Sequence, residues 1–401
     1  MRTCRFCQST NLHLILDLGT APPSNSFLTA EQLEEPETHY PLRLFFCEDC
    51  ALVQLPEYKK ATEIFKDDYV YYSSQSPSNV SHAKEYVEYL VERFQINTDS
   101  HVVEIGSNDG YLLQHIHRRI PCTGIDPSER CAAEAAKKGI ITIPKFFTAE
   151  LARQMNKADL ICNINTFAHQ PKLNDFIEGL KIILKPGGVI SQEFPSLTSL
   201  IDGVQLDTIY QEHYQYLSFT TTCEMFKRHE LRVFDVEEIS THGGSLRIFA
   251  QHNERSQSLS ERASRLLQAE KAKGISTLKY YEGFRDRVQS VISVFNHFLT
   301  THPHQRIVGY AAAAKGVSFL NYCGVKAGSV RFVVDRSPHK QGLYLPGSRI
   351  PVVSEETIRE FKPHYVIILA WNLRDEIINQ LRYIREWDGR FVTAIPKLEI
   401  F

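Results

Sequence analysis

No run of about 18 consecutive apolar residues, the length a spanning helix needs, occurs in the chain, so no membrane crossing is expected. Charge of either sign is not in excess: 45 Lys+Arg against 47 Asp+Glu leave a formal net charge of −2. With no Lys/Arg stripe either, a general nucleic-acid or membrane-surface binder is not expected. Behind the positive charge of Met1-Arg2-Thr3-Cys4 there is no apolar run, so no secretory signal is read there and a reducing, cytoplasmic setting is expected. Short-period repeats and low-complexity tracts are also missing.

What remains is an ordinary globular composition, 43% hydrophobic and 23% charged, over 401 residues. At roughly 150 residues per domain that length implies two or three domains. Residues 1–75 are rich in Cys, Pro and aromatics. Residues 78–95 carry Val80, Ala83, Val87, Leu90, Val91 and Phe94 near helical spacing. Strand and helix signals then alternate. The strands are His101–Ile105, Cys122–Ile125, Ala158–Asn163 and Val189–Glu193, the last after the turn Lys185-Pro186-Gly187-Gly188. The helices are Tyr111–Arg118, Cys131–Lys138 and Leu173–Leu184. That rhythm predicts a parallel sheet covered on both faces. Residues 256–300 read as a long helical connector. Strands at Arg306–Tyr310, Val330–Val334 and Tyr365–Leu369, with helices at Gly316–Cys323 and Glu355–Phe361, predict a second, smaller α/β unit. The expected division is 1–75, 76–255, 256–300 and 301–401.

Four of the nine cysteines form a pattern, Cys4-x-x-Cys7 and Cys47-x-x-Cys50, with 39 residues between the pairs. Two such turns supply four thiolates, the full tetrahedral shell of a structural zinc with no open position. Two unrelated thiol pairs or a redox dithiol are the alternatives. Cys122, Cys131, Cys162, Cys223 and Cys323 read as small buried hydrophobes.

The segment Val102 to Leu113 is an apolar strand ending in Glu104, a turn with Gly106 and Gly110, and a helix start. It resembles the E/D-x-G-x-G-x-G loop of class I methyltransferases, with Asn108 where the middle glycine usually stands. A dinucleotide fingerprint would need a further glycine, and its pyrophosphate would gain nothing from Glu104 and Asp109. The sulfonium and ammonium of S-adenosylmethionine suit both carboxylates. Asp126, ending the second strand, is placed for the ribose hydroxyls. Asn165, Ala168 and His169 after the third strand, and Glu193 after the fourth, border the same crevice.

Tyr210-Gln211-Glu212-His213-Tyr214-Gln215-Tyr216 resembles the Y-x-E-H-x-x-Y signature of the sugar C3-methyltransferase family, which acts on nucleotide-linked 4-keto-6-deoxyhexoses. Further elements of that family are matched in order. They are Pro23-x-Asn25-x-Phe27-Leu28, Tyr69-x-Tyr71-Tyr72-Ser73-Ser74, His242-Gly243-Gly244-Ser245-Leu246-Arg247, Gly309 to Gly316 with Ala311 in place of a glycine, and Asp335-x-Ser337-Pro338-x-Lys340-Gln341-Gly342. The resemblance implies a zinc module and a C-terminal nucleotide-sugar domain flanking a methyltransferase core. It implies His213 as the base for the C3 proton, with Glu212, Tyr210 and Tyr71 as catalytic partners. Glu212 would orient the ring or touch the substrate; the two tyrosines would donate to the developing oxyanion or the sugar. Substrate contacts are expected from Tyr69, Ser73, Ser74, Glu193, His242, Arg247, Lys315, Asn321, Asp335 and Lys340. Lys315 is read either as a diphosphate ligand or as a solvent-facing lysine, and Arg247 either as a ligand or as the partner of a surface acid.

The expected substrate is a dTDP-, GDP- or CDP-linked keto-sugar, bound by a monomer or weak homo-oligomer without nucleic acid or membrane. An O- or N-methyltransferase on a related nucleotide-sugar, and a zinc-containing binding module without catalysis, are the alternatives.

Overall fold

The computed structural model describes residues 3–64, 71–254 and 257–401, with Tyr69 and the first residue of the expected connector outside them. Three sheets organise the described residues. The first is antiparallel: β1 (Leu12–Ala21), β2 (Tyr40–Cys47) and β3 (Val53–Gln54). Its fourth strand comes from far along the chain. Gln215–Tyr216, which takes its place in chain order as β9, pairs with β3 through Val53–Tyr216 and Gln54–Gln215.

The second sheet holds β4 (Val102–Ile105), β5 (Cys122–Ile125), β6 (Thr142–Ile143), β7 (Ala158–Ile164), β8 (Leu184–Pro195), β10 (Leu231–Ile239) and β11 (Ser245–His252). Its order is β10-β11-β8-β7-β4-β5-β6. The five strands from β6 to β8 are parallel, and the β10–β11 hairpin adds antiparallel to β8. Strand order reverses between β4 and β7, so a crevice opens beyond their carboxyl ends. The third sheet runs β14 (Val352–Val353), β13 (Val333–Val334), β12 (Ile307–Tyr310), β15 (Tyr365–Ile368), β16 (Arg390–Thr393) and β17 (Glu399–Ile400), parallel except for the last. The zinc module, doubly wound core and smaller α/β unit expected from the sequence are all present.

Local chemistry explains the elements. The helix Pro77–Arg93 starts where the Ser76 hydroxyl accepts from the Asn79 amide, with proline at its first position. It buries Ala83, Tyr86, Val87 and Leu90, a spacing of three, four and seven residues that makes one stripe. Each such aliphatic side chain contributes about 1.5–3 kcal/mol of burial. Serine or threonine side chains cap five further helices, at Ser128, Thr148, Ser196, Ser218 and Ser260.

Three expectations are corrected. Tyr111–Arg118 is not a regular helix but mixed turns around a short 3-10 turn, Leu113–His115. Leu112, Leu113, Ile116 and Ile120 all point inward there, and burying them wins over a regular ladder. The turn before Val189 lies within a longer strand, Leu184–Pro195, as a bulge against β7. The connector is broken into Glu261–Lys273, a 3-10 turn Leu278–Tyr281, and Phe284–Thr301, since the first helix ends at the left-handed Gly274. Tyr281, Phe284, Val288 and Phe295 join Leu44 and Phe46 of the first sheet and Ile307, Val333 and Ile367 of the third in one core. The zinc module's other side, with Cys4, Phe6 and Leu52, packs onto the core sheet through Phe167, Phe176 and Leu217.

Ala311 stands at φ +75°, in the left-handed region that costs a Cβ-bearing residue about 1–2 kcal/mol. Ala311→Gly is therefore expected to raise the thermal midpoint by about 1–3 °C in scanning calorimetry. An unchanged or lower midpoint would show that the strain is relieved elsewhere.

Candidate active site

Cys4 and Cys7 precede β1; Cys47 ends β2 and Cys50 sits in the next turn. Their four Sγ atoms lie within 4.8 Å of one another, with Cys4–Cys50 at 3.5 Å and Cys7–Cys47 at 3.6 Å. Thiolates at the corners of a zinc tetrahedron stand about 3.8 Å apart. The two knuckles share one backbone form. Cys4 and Cys47 carbonyls accept from the amides of Gln8 and Ala51, four residues on, and both of those residues are left-handed. The donor set and spacing fit a closed structural zinc.

At the crevice, Glu104 lies one residue before the end of β4, fully buried. Neither carboxylate oxygen has a hydrogen bond of good geometry, with only the Leu113 amide leaning towards it. Burial, then Asp126, then Asp109, push its pKa well above the ordinary range. Asp126 is raised to about 6, chiefly by burial, although it accepts from the Asn108 and Ser128 amides, each at 2.9 Å. Lys138 offsets only Asp109, at 3.3 Å, so the crowded Glu104 and Asp126 still make a seat for a positively charged ligand and repel a pyrophosphate. Gly106 has φ +76°, and a Cβ there would sit 2.2 Å from the Thr166 hydroxyl, so the backbone closes directly on the loop after β7. At Gly110 a Cβ would meet Ile140 at 2.5 Å.

Asn108 is itself left-handed, at φ +47°. Its side chain accepts from the Ser73 amide at 2.8 Å and donates to the Tyr71 carbonyl at 3.2 Å, while Ser74 donates to Asp109. The 71–74 segment thus lies on the glycine loop, and Asn108 takes up the backbone that leads to Tyr71.

Across the crevice, His213 is buried. Its Nδ1 lies 2.8 Å from the Thr208 carbonyl and its Nε2 2.8 Å from the Tyr210 hydroxyl. A carbonyl only accepts, so Nδ1 carries the proton; Nε2 holds the lone pair and accepts from Tyr210. Burial, then the neighbouring His169, hold the His213 pKa well below 6.5. His169 packs edge-on at 4.8 Å between ring centres, and burial lowers it to about 4. Tyr210 is raised well above 10 by burial and by Glu212, so it stays a hydroxyl donor. Glu212 is buried and accepts from Asn25 of the zinc module at 2.7 Å. Since Nδ1 is already taken, Glu212 does not orient the ring through it. Ala168 lies beside this cluster, its carbonyl accepting from the Tyr214 amide.

The remaining expected residues divide. Asn165 donates to His242 Nε2 at 2.6 Å, and Lys315 Nζ donates to the His242 carbonyl at 3.2 Å. Lys315 is not a solvent-facing lysine: burial lowers its pKa, and Asp207, held at 2.8 Å by the Trp371 indole, partly restores it. Glu193 and Arg247 meet each other at 2.6 Å, with His82 on the other Glu193 oxygen, so Arg247 pairs with a buried acid and not a surface one. Asp335 caps Ala312 and Ser337; Lys340 donates to the Ala312 carbonyl; Asn321 donates to the Pro346 carbonyl. These three brace the loops around Lys315. The sequence did not point to Thr208, Asp207 or Trp371, because a backbone acceptor and contacts between distant segments leave no local pattern.

Residues 4–65 match a family described as "Putative zinc binding domain", residues 80–236 a methyltransferase domain, and residues 240–396 a C-methyltransferase C-terminal domain. Sheet, crevice and matches together define an S-adenosylmethionine-dependent methyltransferase with an N-terminal zinc site. The C-methyltransferase NovU of Streptomyces niveus is 32% identical over 98% of this chain and 95% of its own length. The chain belongs to this C-methyltransferase family. Looser likenesses include an S-adenosylmethionine-dependent methyltransferase of Clostridium acetobutylicum (12% identity, 43% of this chain and 92% of that one, TM-score 0.36). The CcbJ methyltransferase of Streptomyces caelestis is similar at 12% identity over 48% and 99% (TM-score 0.37). At that distance neither bears on activity or ligand. Among the described residues no helix is long and apolar enough to cross a membrane.

Zinc removal should be costly because Cys4, Cys47 and Cys50 lie within the core shared with the methyltransferase sheet. Elemental analysis is expected to find one zinc per chain, bound by the four cysteines. Cys47→Ser, or thiol modification with a chelator, is expected to release it and lower the thermal midpoint. Retention of midpoint and fold without zinc would contradict a structural metal.

Proposed function

We propose that this enzyme methylates C3 of a nucleotide-linked 4-keto-6-deoxyhexose. The observation that carries the reading is the His213 tautomer, a neutral imidazole in a dry site whose Nε2 lone pair faces a hydroxyl donor. A proton next to a ketone is acidic enough for such a base, and this pKa keeps His213 unprotonated at neutral pH.

S-adenosylmethionine supplies an electrophilic methyl group on a sulfonium. Glu104, Asp109 and Asp126 would hold its charged groups and ribose, with Gly106, Asn108 and Gly110 shaping the loop and Asn165, Ala168 and His169 forming the facing wall. As the sugar enters, the Tyr210 hydroxyl turns from His213 to the ketone oxygen, O4. His213 Nε2 is then open to take the C3 proton, and O4, gaining enolate charge, accepts from Tyr210 and Tyr71. One such donor is typically worth about 3 kcal/mol in a water-excluded site. Glu212 contacts the sugar near C3. Ser73 and Ser74 form the lip shared with the cofactor, while His242 of the core and Lys315 of the C-terminal lobe meet the diphosphate. Glu193 and Arg247 line the substrate side as a buried ion pair, and Asn321, Asp335 and Lys340 act on it only by bracing the loops around Lys315.

In this reading the segments 1–75, 76–255, 256–300 and 301–401 act as zinc scaffold, catalytic core, connector and nucleotide-sugar lobe. We place the enzyme in the cytoplasm as a monomer or weak homo-oligomer, where four thiolates stay reduced. The nucleotide is thymidine, guanosine or cytidine diphosphate.

A panel of those keto-sugars with labelled methyl donor tests the reading. His213→Ala is expected to lower turnover by about 10²–10⁴-fold with donor binding intact. Wild-type enzyme is expected to exchange the C3 proton with solvent deuterium, as no O- or N-methyltransferase would. Full activity in His213→Ala, or methylation without exchange, would overturn it.

Binding of the cationic cofactor favours ionised carboxylates. Because Asp126 rests at about 6, affinity is expected to fall as pH drops through that value. Binding near pH 6 is therefore expected to release a proton from Asp126, and the raised Glu104 acts in the same direction. Calorimetry in buffers of different ionisation enthalpy measures both, and pH-independent binding without proton release would remove these carboxylates from the site.

A further inference from the structure

The segment from Ala21 to Leu28 leaves the zinc-bearing sheet and touches both other lobes. The Ala21 carbonyl accepts from Gln211 at 2.8 Å, and Asn25 Nδ2 donates to Glu212 Oε1 at 2.7 Å. Leu28 exchanges two backbone hydrogen bonds with Tyr344, at 2.9 and 2.8 Å, and the Phe27 ring lies 5.5 Å from the Lys340 ammonium. Asn25 is held stiffly: two prolines precede the segment's turn, in which the Ser26 amide donates to the Pro23 carbonyl at 3.1 Å. Glu212 is 1% exposed, and a carboxylate so buried needs donors to stay ionised and oriented.

We propose that Asn25 is a positioning residue through which the zinc lobe sets the carboxylate of Glu212 in the catalytic loop. The inference rests on the sugar C-methylation reading for what Glu212 does, but not for the pair itself. The amide supplies a fixed, uncharged donor. It keeps one Glu212 oxygen occupied and its rotamer set, so the carboxylate meets the sugar in one orientation. Neither residue can be exchanged without the other noticing.

The test uses full-length, zinc-loaded enzyme with a thymidine-diphosphate-linked 4-keto-6-deoxyhexose. Asn25→Ala is expected to lower kcat by about 10–100-fold, with zinc content and S-adenosylmethionine affinity unchanged. In a Glu212→Ala background the same change is expected to cost less than about twofold, since the acceptor is already gone. Asn25→Asp puts a second carboxylate against Glu212, so its activity optimum is expected to move to lower pH, where the two share a proton. Additive losses and an unshifted optimum would overturn the proposal. The same double-mutant cycle on the thermal midpoint needs no substrate. If wild-type enzyme methylates none of the keto-sugars, the function reading fails, while non-additive midpoints still support the pair and additive ones still reject it.

Discussion

The loop that carries Tyr210 to His213 hangs on a very short joint, the two-residue ladder between Val53–Gln54 and Gln215–Tyr216. Two flanking bonds extend it, from the Leu55 amide to the Tyr214 carbonyl and from the Tyr214 amide to the Ala168 carbonyl. Tyr210 to His213 therefore sit between a metal-braced sheet on one side and the end of the core sheet on the other. A loop of this kind, lacking a helix or strand of its own, would otherwise sample many conformations. The orientation of His213 then follows from one backbone acceptor, the Thr208 carbonyl, which fixes which nitrogen is basic.

The two sides of the crevice differ in electrical character. Around the glycine loop, burial and then the neighbouring carboxylates raise Glu104; around His213, burial depresses His169, burial with His169 depresses His213, and burial with Lys315 depresses His242. One wall waits for a cation, and the other keeps its imidazoles neutral. That separation suits transfer of a carbon from a sulfonium to a carbon made electron-rich by proton removal.

Much of this was legible in the sequence because it is local. Each CxxC pair, the strand that carries Glu104, and the second strand leading to Asp126 is a short pattern in the chain, and the ordered motif series tied them together. Tyr111–Arg118 misled because its apolar residues satisfy a helical spacing while burial draws them into mixed turns. The apparent helix of 256–300 hid breaks between Gly274 and Gly283 that periodicity averages away. Arg247 was read as a ligand or the partner of a surface acid, yet its partner is the buried Glu193, 54 residues away; Lys340, expected to contact substrate, instead donates to the Ala312 carbonyl, 28 residues away. Asn25 was visible as part of a motif, but its meeting with Glu212 spans 187 residues and depends on three sheets closing together.

Gly243 marks where the core and the C-terminal lobe interlock. It sits at φ +87°, and a Cβ there would lie 2.3 Å from the Trp371 ring, whose indole in turn donates to Asp207. Gln205 donates to the Gly243 carbonyl at 2.7 Å from the same side. Indole, glycine corner and the 205–208 turn form a matched lock. A chimera that borrows a relative's C-terminal half to change nucleotide choice would therefore need its crossover placed so that all three travel together; a junction at the connector would split them and leave mismatched halves.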